Sequence, residues 1–174
     1  AYLCRRAENN FVGVACGIMD QYISCLGQKN HTLFIDCRSN NYELIPFKGH
    51  NYQIVICNSK IQRSLVNSEY NKRREECRIA VELFNHKLTS EIRALRDVTI
   101  DEYKKYQRQL PEPIARRARH VISENYRVQA GVQALREENF STFGKLMVES
   151  HKSLKNDYEV SCAELDLLVD LALK

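Results

Sequence analysis

The chain changes its hydrophobic period once, and that change constrains the fold more than any other feature. Residues 31–58 hold three short runs of strand character, HTLFIDC (31–37), YELIPF (42–47) and NYQIVICN (51–58). From Ser68 to Lys174 the apolar residues instead recur every three or four positions, without a linker or low-complexity tract. The links between the runs, Arg38-Ser39-Asn40-Asn41 and Lys48-Gly49-His50, are too short for a crossover helix. Runs joined so closely pair antiparallel, which predicts a meander of about three strands.

The helical remainder can be divided by its caps. Ser68 is a candidate N-cap, with Asn71 standing where a capping box would want Glu, and Cys77, Ala80, Val81 and Phe84 follow on one face. A short helix is expected near 88–96. Thr99 with Glu102 forms a full box, and Pro113 suits the first turn of a long helix bearing Ile114, Ala118, Val121, Ile122, Val128, Val132 and Leu135. Ser141 could open a further helix (Phe143, Leu146, Met147). Ser161 with Glu164 could open the last, burying Leu165, Leu168, Val169, Leu171 and Ala172. Ahead of the strands, residues 1–30 read as helix, loop, helix, the second helix carrying an Ile18, Met19, Tyr22, Ile23, Leu26 stripe that stops at Gly27. The expectation is an α+β fold: one domain over 1–174, with five to six helices packed on a small antiparallel sheet of about three strands.

A chain of 174 residues with 44% hydrophobic content can bury roughly 70% of its unfolded surface, so a core needs no disulfide or metal. Low Gly and Pro exclude collagen-like and disordered classes. No apolar run approaches the roughly 18 residues of a membrane span, and the first residues show neither a signal-peptide pattern nor a Met. The chain therefore reads as soluble, and as processed or cut from something longer. Seven cysteines, an odd number with no C-x-x-C pair and several inside apolar runs, fit reduced cytoplasmic thiols in the core. The histidines show no ligand spacing, so no metal site is expected. The net charge of +4 peaks in the middle third, in Lys72-Arg73-Arg74-Glu75-Glu76-Cys77-Arg78 and Arg116-Arg117-Ala118-Arg119-His120. Without interleaved aromatics these read as solvated helix faces, with neither nucleic acid nor membrane as partner.

Nucleotide-binding motifs are missing: the six glycines, at 13, 17, 27, 49, 131 and 144, form neither G-x-x-x-x-G-K nor G-x-G-x-x-G. The most unusual stretch is FVGVACGIMDQ (11–21). Asp20 falls in the first turn of a helix, where the dipole favours a carboxylate, on a different side from Met19, Ile23 and Leu26. Gly17, just before it, would let a ligand approach the backbone. On the pattern alone, a first-turn carboxylate with no chemical role is the better reading.

A resemblance weighs on that choice. Arg6-Ala7-Glu8-Asn9, Gly13-Val14, Cys16-Gly17-Ile18-Met19-Asp20-Gln21 and LFIDCR (33–38) resemble the galactokinase family. So do Asn67-Ser68-Glu69-Tyr70 with Arg73-Arg74-Glu75-Glu76-Cys77, RRARHV (116–121), MVESH (147–151), DYEVSC (157–162) and Glu164-Leu165-Asp166, in the family's order from end to end. The chain is identified as resembling an internal portion of a galactokinase, within the superfamily of homoserine, mevalonate and phosphomevalonate kinases.

The resemblance implies an ATP-dependent enzyme that makes galactose 1-phosphate, with galactose and ATP as small-molecule substrates. It implies that Asp20 is the catalytic carboxylate beside the anomeric hydroxyl, that Gly17 contacts the sugar through its backbone, and that Tyr70 reaches a sugar hydroxyl. On its residues alone Tyr70 is an aromatic at the start of a helix. The family's G-R-x-N-L-x-G-E-H block, its phosphate loop and its late Gly-rich segment are not in this sequence, so ATP and Mg²⁺ would be bound mainly elsewhere. The isolated chain is therefore expected to be inactive. The same resemblance admits a galactokinase-like sensor that binds sugar and ATP and regulates a partner protein, and N-acetylgalactosamine or arabinose kinases.

Overall fold

A computed structural model describes residues 1–13, 16–49, 51–61 and 69–174, with the side chains of Glu69 and Tyr70 outside that set. Two compact units emerge, Ala1–Ile54 with Gly131–Phe143, and Val55–Ala130 with Gly144–Lys174.

In the first unit, α1 (Tyr2–Ala7) runs into a π-turn (Glu8–Val12), and α2 (Met19–Leu26) precedes a hairpin of β1 (His31–Ile35) and β2 (Tyr42–Pro46). The strands pair antiparallel, with Thr32 opposite Ile45 and Phe34 opposite Glu43. The connection closes through the Asn40 N–H donating to the Asp36 carbonyl at 2.7 Å. Asn40 is left-handed there, a conformation asparagine tolerates better than most residues. The two-residue period of the strands puts Phe34 and Ile45 on one face, where they pack with Val132, Leu135, Phe140 and Phe143. Glu43 extends this face to an ion pair with Arg136 at 2.6 Å. On the opposite face Tyr42 meets Tyr22 of α2 edge to face.

The α+β reading stands, with two strands among the described residues instead of about three. The run 51–58 is not a strand. The Tyr52 N–H donates to the Gly49 carbonyl at 2.9 Å, and its ring lies 4.8 Å from that of Phe140. That turn carries the chain away from the hairpin edge. Ile54, Val55 and Ile56 are left 86%, 76% and 91% exposed. A strand persists only where a neighbour completes its ladder, and the described residues supply none.

The second unit contains α3 (Glu69–Asn85), α4 (Ile100–Tyr106), the first part of α5 (Ile114–Arg136), most of α6 (Phe140–Ser153) and α7 (Ala163–Ala172). Its core joins Ala80 and Phe84 of α3 to Tyr103 of α4 and to Ile114, Ala118 and Ile122 of α5. The expected Thr99–Glu102 capping box is present: Glu102 N–H donates to Thr99 Oγ1, and Thr99 N–H to the Glu102 carboxylate. The helix expected near 88–96 reduces to one 3-10 turn (Leu95–Asp97), because the Asn85 amide clamps both backbone groups of Ile92 and holds the segment as a loop. Asn139, not Ser141, caps α6, its Oδ1 accepting from Thr142 N–H at 3.0 Å. Ser161 does not cap α7 but donates to Asp166. No residue of α7 is buried, and Leu171 is exposed, contrary to the expected buried face. The Ser68 cap lies outside the described residues.

The largest departure is electrostatic. Arg73, Glu76, Arg117 and His120 were expected on solvated faces and are all buried. Arg117 Nε and Arg73 Nη1 both donate to Glu76 Oε2, at 2.8 and 3.0 Å. Two further bonds from each guanidinium go to the segment after α6: Arg73 to the Tyr158 and Glu159 carbonyls, Arg117 to the Asp157 carbonyl and the Glu159 carboxylate. This π-turn (Leu154–Tyr158) ends at Glu159 in the left-handed region. The two arginines tie it to α3 and α5, together with Arg119 on Asp157 and the Tyr158 ring 4.5 Å from that of His120.

His120 sits behind this network. The Ser153 hydroxyl gives its single hydrogen to Asp157 Oδ2, so at 3.0 Å from His120 Nδ1 it accepts and the ring donates. The order His–Ser–Asp leaves the serine oxygen without a base, so this is a tie between helices and not a nucleophile. Burial pushes the imidazole below its ordinary pKa; Glu124 and Asp157 oppose this and Arg127 adds to it. A ring whose folded pKa is lowered stabilises the fold fully above about pH 6.5 and progressively less as pH falls through the folded value. The thermal midpoint should therefore drop between pH 7.5 and 5.5, and His120→Gln should flatten that drop. Equal slopes in the two proteins would contradict the assignment. A second loss is expected below about pH 4.5. There Glu76, pushed up by burial but held below its ordinary value by Arg117 and Arg73, and Glu159, held low by Arg117 and Arg116, take up protons.

Candidate active site at the start of α2

The approach to α2 is built from small and apolar residues. Gly13 ends the π-turn at φ +79, a conformation that side-chain-bearing residues rarely adopt, with its N–H on the Glu8 carbonyl. Gly17 is exposed, and a Cβ placed there would meet nothing within 4 Å. Glycine is thus not required by packing at this position. What it provides is an uncovered backbone one turn from Asp20.

Helix α2 is held by Ile18, Gln21 and Tyr22, all buried. The Tyr22 hydroxyl donates to the Asn40 carbonyl at 3.2 Å, fastening the helix to the hairpin connection. This corrects the expected stripe. Met19 is 66% exposed and Ile23 is exposed as well, so the anchoring face is rotated about one residue from the one read off the sequence. A polar residue, Gln21, sits where apolar periodicity alone would not place it.

Asp20 projects from the free side of that helix and is exposed. Among the described residues its carboxylate makes no hydrogen bond or ion pair, and Ser24 Oγ donates to its backbone carbonyl, not to its side chain. The N-cap position, Ile18, has no side-chain cap, so first-turn N–H groups stay open beside the carboxylate. A carboxylate with free lone pairs, at a helix N-terminus that favours its ionised form, can accept a proton from a hydroxyl presented to it.

Gly17 and Asp20 lie three residues apart in the chain at the start of α2. Tyr70 is the second residue of α3, in the other compact unit, and its side chain lies outside the described residues. Sequence reasoning passed over Glu8, Cys16 and the Gln21 amide, which form a polar cluster behind Asp20. The signal that could have revealed it is a glutamine three residues after Ile18 and next to Tyr22, on what must be the anchored side.

No group of His, Cys, Asp or Glu among the described residues is placed to hold a metal ion, and no helix among them is long and apolar enough to cross a membrane.

No protein-family model matches the chain. It is 48% identical over 172 residues to a galactokinase of Roseiflexus sp. and 43% identical over 173 residues to galactokinase of Homo sapiens, each alignment covering 99% of this chain. The galactokinase of Thermotoga neapolitana is 44% identical over 168 residues. Among solved structures, a Lactococcus lactis galactokinase complexed with galactose superposes with a TM-score of 0.91 at 35% identity over 98% of this chain. The resemblance carried by the motif blocks therefore extends over nearly all of these residues. The chain spans about 44% of the length of these relatives, as a portion of such a protein would.

Proposed function

We propose that this chain is the base-bearing portion of an ATP-dependent galactokinase and that Asp20 acts on the anomeric hydroxyl of galactose. The observation that carries the reading is Asp20 itself: exposed, without a partner among the described residues, and one turn from the open Gly17 backbone. It stands in a chain similar throughout to galactokinases, one of them solved with galactose.

The O1 hydroxyl of galactose hydrogen-bonds to the Asp20 carboxylate. As O1 attacks the γ-phosphorus of ATP, its proton passes to Asp20 and the bond from the γ-phosphorus to the β,γ-bridging oxygen breaks. Galactose 1-phosphate and ADP are the products. The Gly17 backbone lies against the sugar, and the Tyr70 hydroxyl reaches a further sugar hydroxyl. Phosphoryl transfer depends on a cradle for the phosphates and on Mg²⁺, which would be held mainly by parts of the enzyme not contained in these residues. The protein would work in the cytoplasm, where its seven cysteines stay reduced.

The test is a hybrid Roseiflexus galactokinase in which these 174 residues replace the matching stretch, assayed with several sugars and with ³¹P NMR of the product. Galactose should be the preferred acceptor and the product an anomeric phosphate. A folded hybrid that binds galactose and ATP without turnover would point to a sensor that regulates a partner protein. Faster reaction with N-acetylgalactosamine or arabinose would reassign the sugar.

A further inference from the structure

Helix α3 is anchored in two different ways along its length. Its later half is apolar: Ala80 and Phe84 are fully buried, and Cys77, Ile79, Val81 and Leu83 pack against the same core. Ahead of Cys77 the described side chains offer no apolar contact. Asn71, Lys72, Arg74 and Glu75 are exposed, and the buried residues are Arg73 and Glu76, at 5% and 7%. Every nitrogen of the Arg73 guanidinium is committed. Nε donates to the Tyr158 carbonyl at 2.6 Å, Nη2 to the Glu159 carbonyl at 3.1 Å and Nη1 to Glu76 Oε2 at 3.0 Å. Glu159 is itself held through its carboxylate by Arg116 and Arg117. Tyr70 stands three residues before Arg73 and seven before Cys77, about 10 Å of helix beyond the nearest core contact. A helix end that far past its core is placed by its nearest polar tie, and among the described residues that tie is Arg73.

We propose that Arg73 is a positioning residue for sugar binding: it fixes the start of α3 against residues 154–159, and so sets where Tyr70 meets the substrate. The inference deepens the galactokinase reading above and rests on it, since that reading has Tyr70 reach a sugar hydroxyl. Arg73 acts through Tyr70, because its own nitrogens are committed within the fold. Lysine cannot stand in for it. An ammonium is a single point of charge, whereas the planar fork reaches two carbonyls and a carboxylate at once. A tie that places a binding group acts on ground state and transition state alike, so its loss is read in KM more than in kcat.

In the hybrid enzyme Arg73→Lys should raise KM for galactose by about 3- to 10-fold, while kcat and KM for ATP change by less than about 2-fold. Tyr70→Phe should raise the same KM by a similar factor. The double variant should stay within about 2-fold of Tyr70→Phe alone, because a hydroxyl already displaced has little further binding to lose. Lost stability by itself would leave KM of the folded enzyme unchanged and would show no such coupling. A KM for Arg73→Lys within about 2-fold of the parent, or penalties that multiply in the double variant, would overturn the proposal. An unsubstituted hybrid that phosphorylates no sugar would count against the functional reading instead. In that case, or if Arg73→Lys yields no folded enzyme, hydrogen exchange on the unsubstituted 174-residue chain decides the tie. The Val160 N–H donates to the Leu154 carbonyl at 3.1 Å and reports on the turn. It should open as one unit with the amides of residues 74–77, and more readily than those of residues 80–84. Amides 74–77 that open with the core, or independently of Val160, overturn it.

Discussion

Replacing Asp20 by Ala in the hybrid galactokinase is expected to lower kcat by about 10²- to 10⁴-fold, the usual contribution of a positioned general base. The fold should survive. Asp20 is exposed, its carboxylate bonds to nothing among the described residues, and α2 is held from its other side by Ile18, Gln21 and Tyr22. Loss of a first-turn carboxylate costs at most about 1 kcal/mol through the helix dipole. Kinetics and stability should therefore separate: turnover collapses while the thermal midpoint stays nearly constant. Galactose binding, measured by titration without ATP, should weaken far less than kcat, because the base matters most when the proton moves. Retention of more than about a tenth of the parent rate would reject Asp20 as the base, since that is less than the smallest usual effect.

The opposite separation is expected at Arg117. This guanidinium is 2% exposed and bonds to Glu76, to Glu159 and to the Asp157 carbonyl. Arg117→Ala leaves the Glu76 carboxylate buried with only Arg73 to balance it and frees one side of the Leu154–Tyr158 turn. Breaking one side of a buried ion pair costs about 3–5 kcal/mol. A domain holds only about 5–15 kcal/mol in total, so the variant should unfold at much lower urea concentration or not fold at all. Removing the charge from both sides tests the cause. Arg117→Met with Glu76→Leu should recover a large part of the loss, because the penalty lies in the orphaned charge more than in the missing bond. A single-variant loss below about 1 kcal/mol would show that the network is solvated and that its burial has no energetic consequence.

These two residues also show what could be read in the sequence and what could not. Local signals carried well. Thr99 and Glu102 needed only each other to form their box, and Cys77, Ala80 and Phe84 needed only helical spacing to declare a face. Asp20 stands out locally as a first-turn carboxylate after a glycine, but its role came only from the resemblance; the structure leaves it exposed.

The misses depend on partners distant in sequence. Arg117 looks like a surface residue until Glu76 and Glu159, 41 and 42 positions away, are brought to it. The run Ile54-Val55-Ile56 has strand composition, but composition cannot supply a neighbouring strand, and the turn at Tyr52 directs it away from the hairpin. The apolar residues of α7 likewise promise a buried face, yet the described residues cover Leu165, Leu168 and Val169 only in part and leave Leu171 exposed. Gln21 was passed over for a different reason. Periodicity was counted on apolar residues only, and the anchored side of α2 includes an amide whose partner, Glu8, precedes it across a glycine-containing loop.

The central claim is that these residues bring the base and leave the phosphate machinery to the rest of a galactokinase. The measurement that tests it most directly is galactose-dependent ADP release, run in parallel on the isolated 174-residue chain and on the hybrid enzyme. The hybrid should turn over and lose its activity with Asp20→Ala, while the isolated chain should release no ADP above the sugar-free blank. Turnover by the isolated chain near that of a full-length galactokinase would contradict the account.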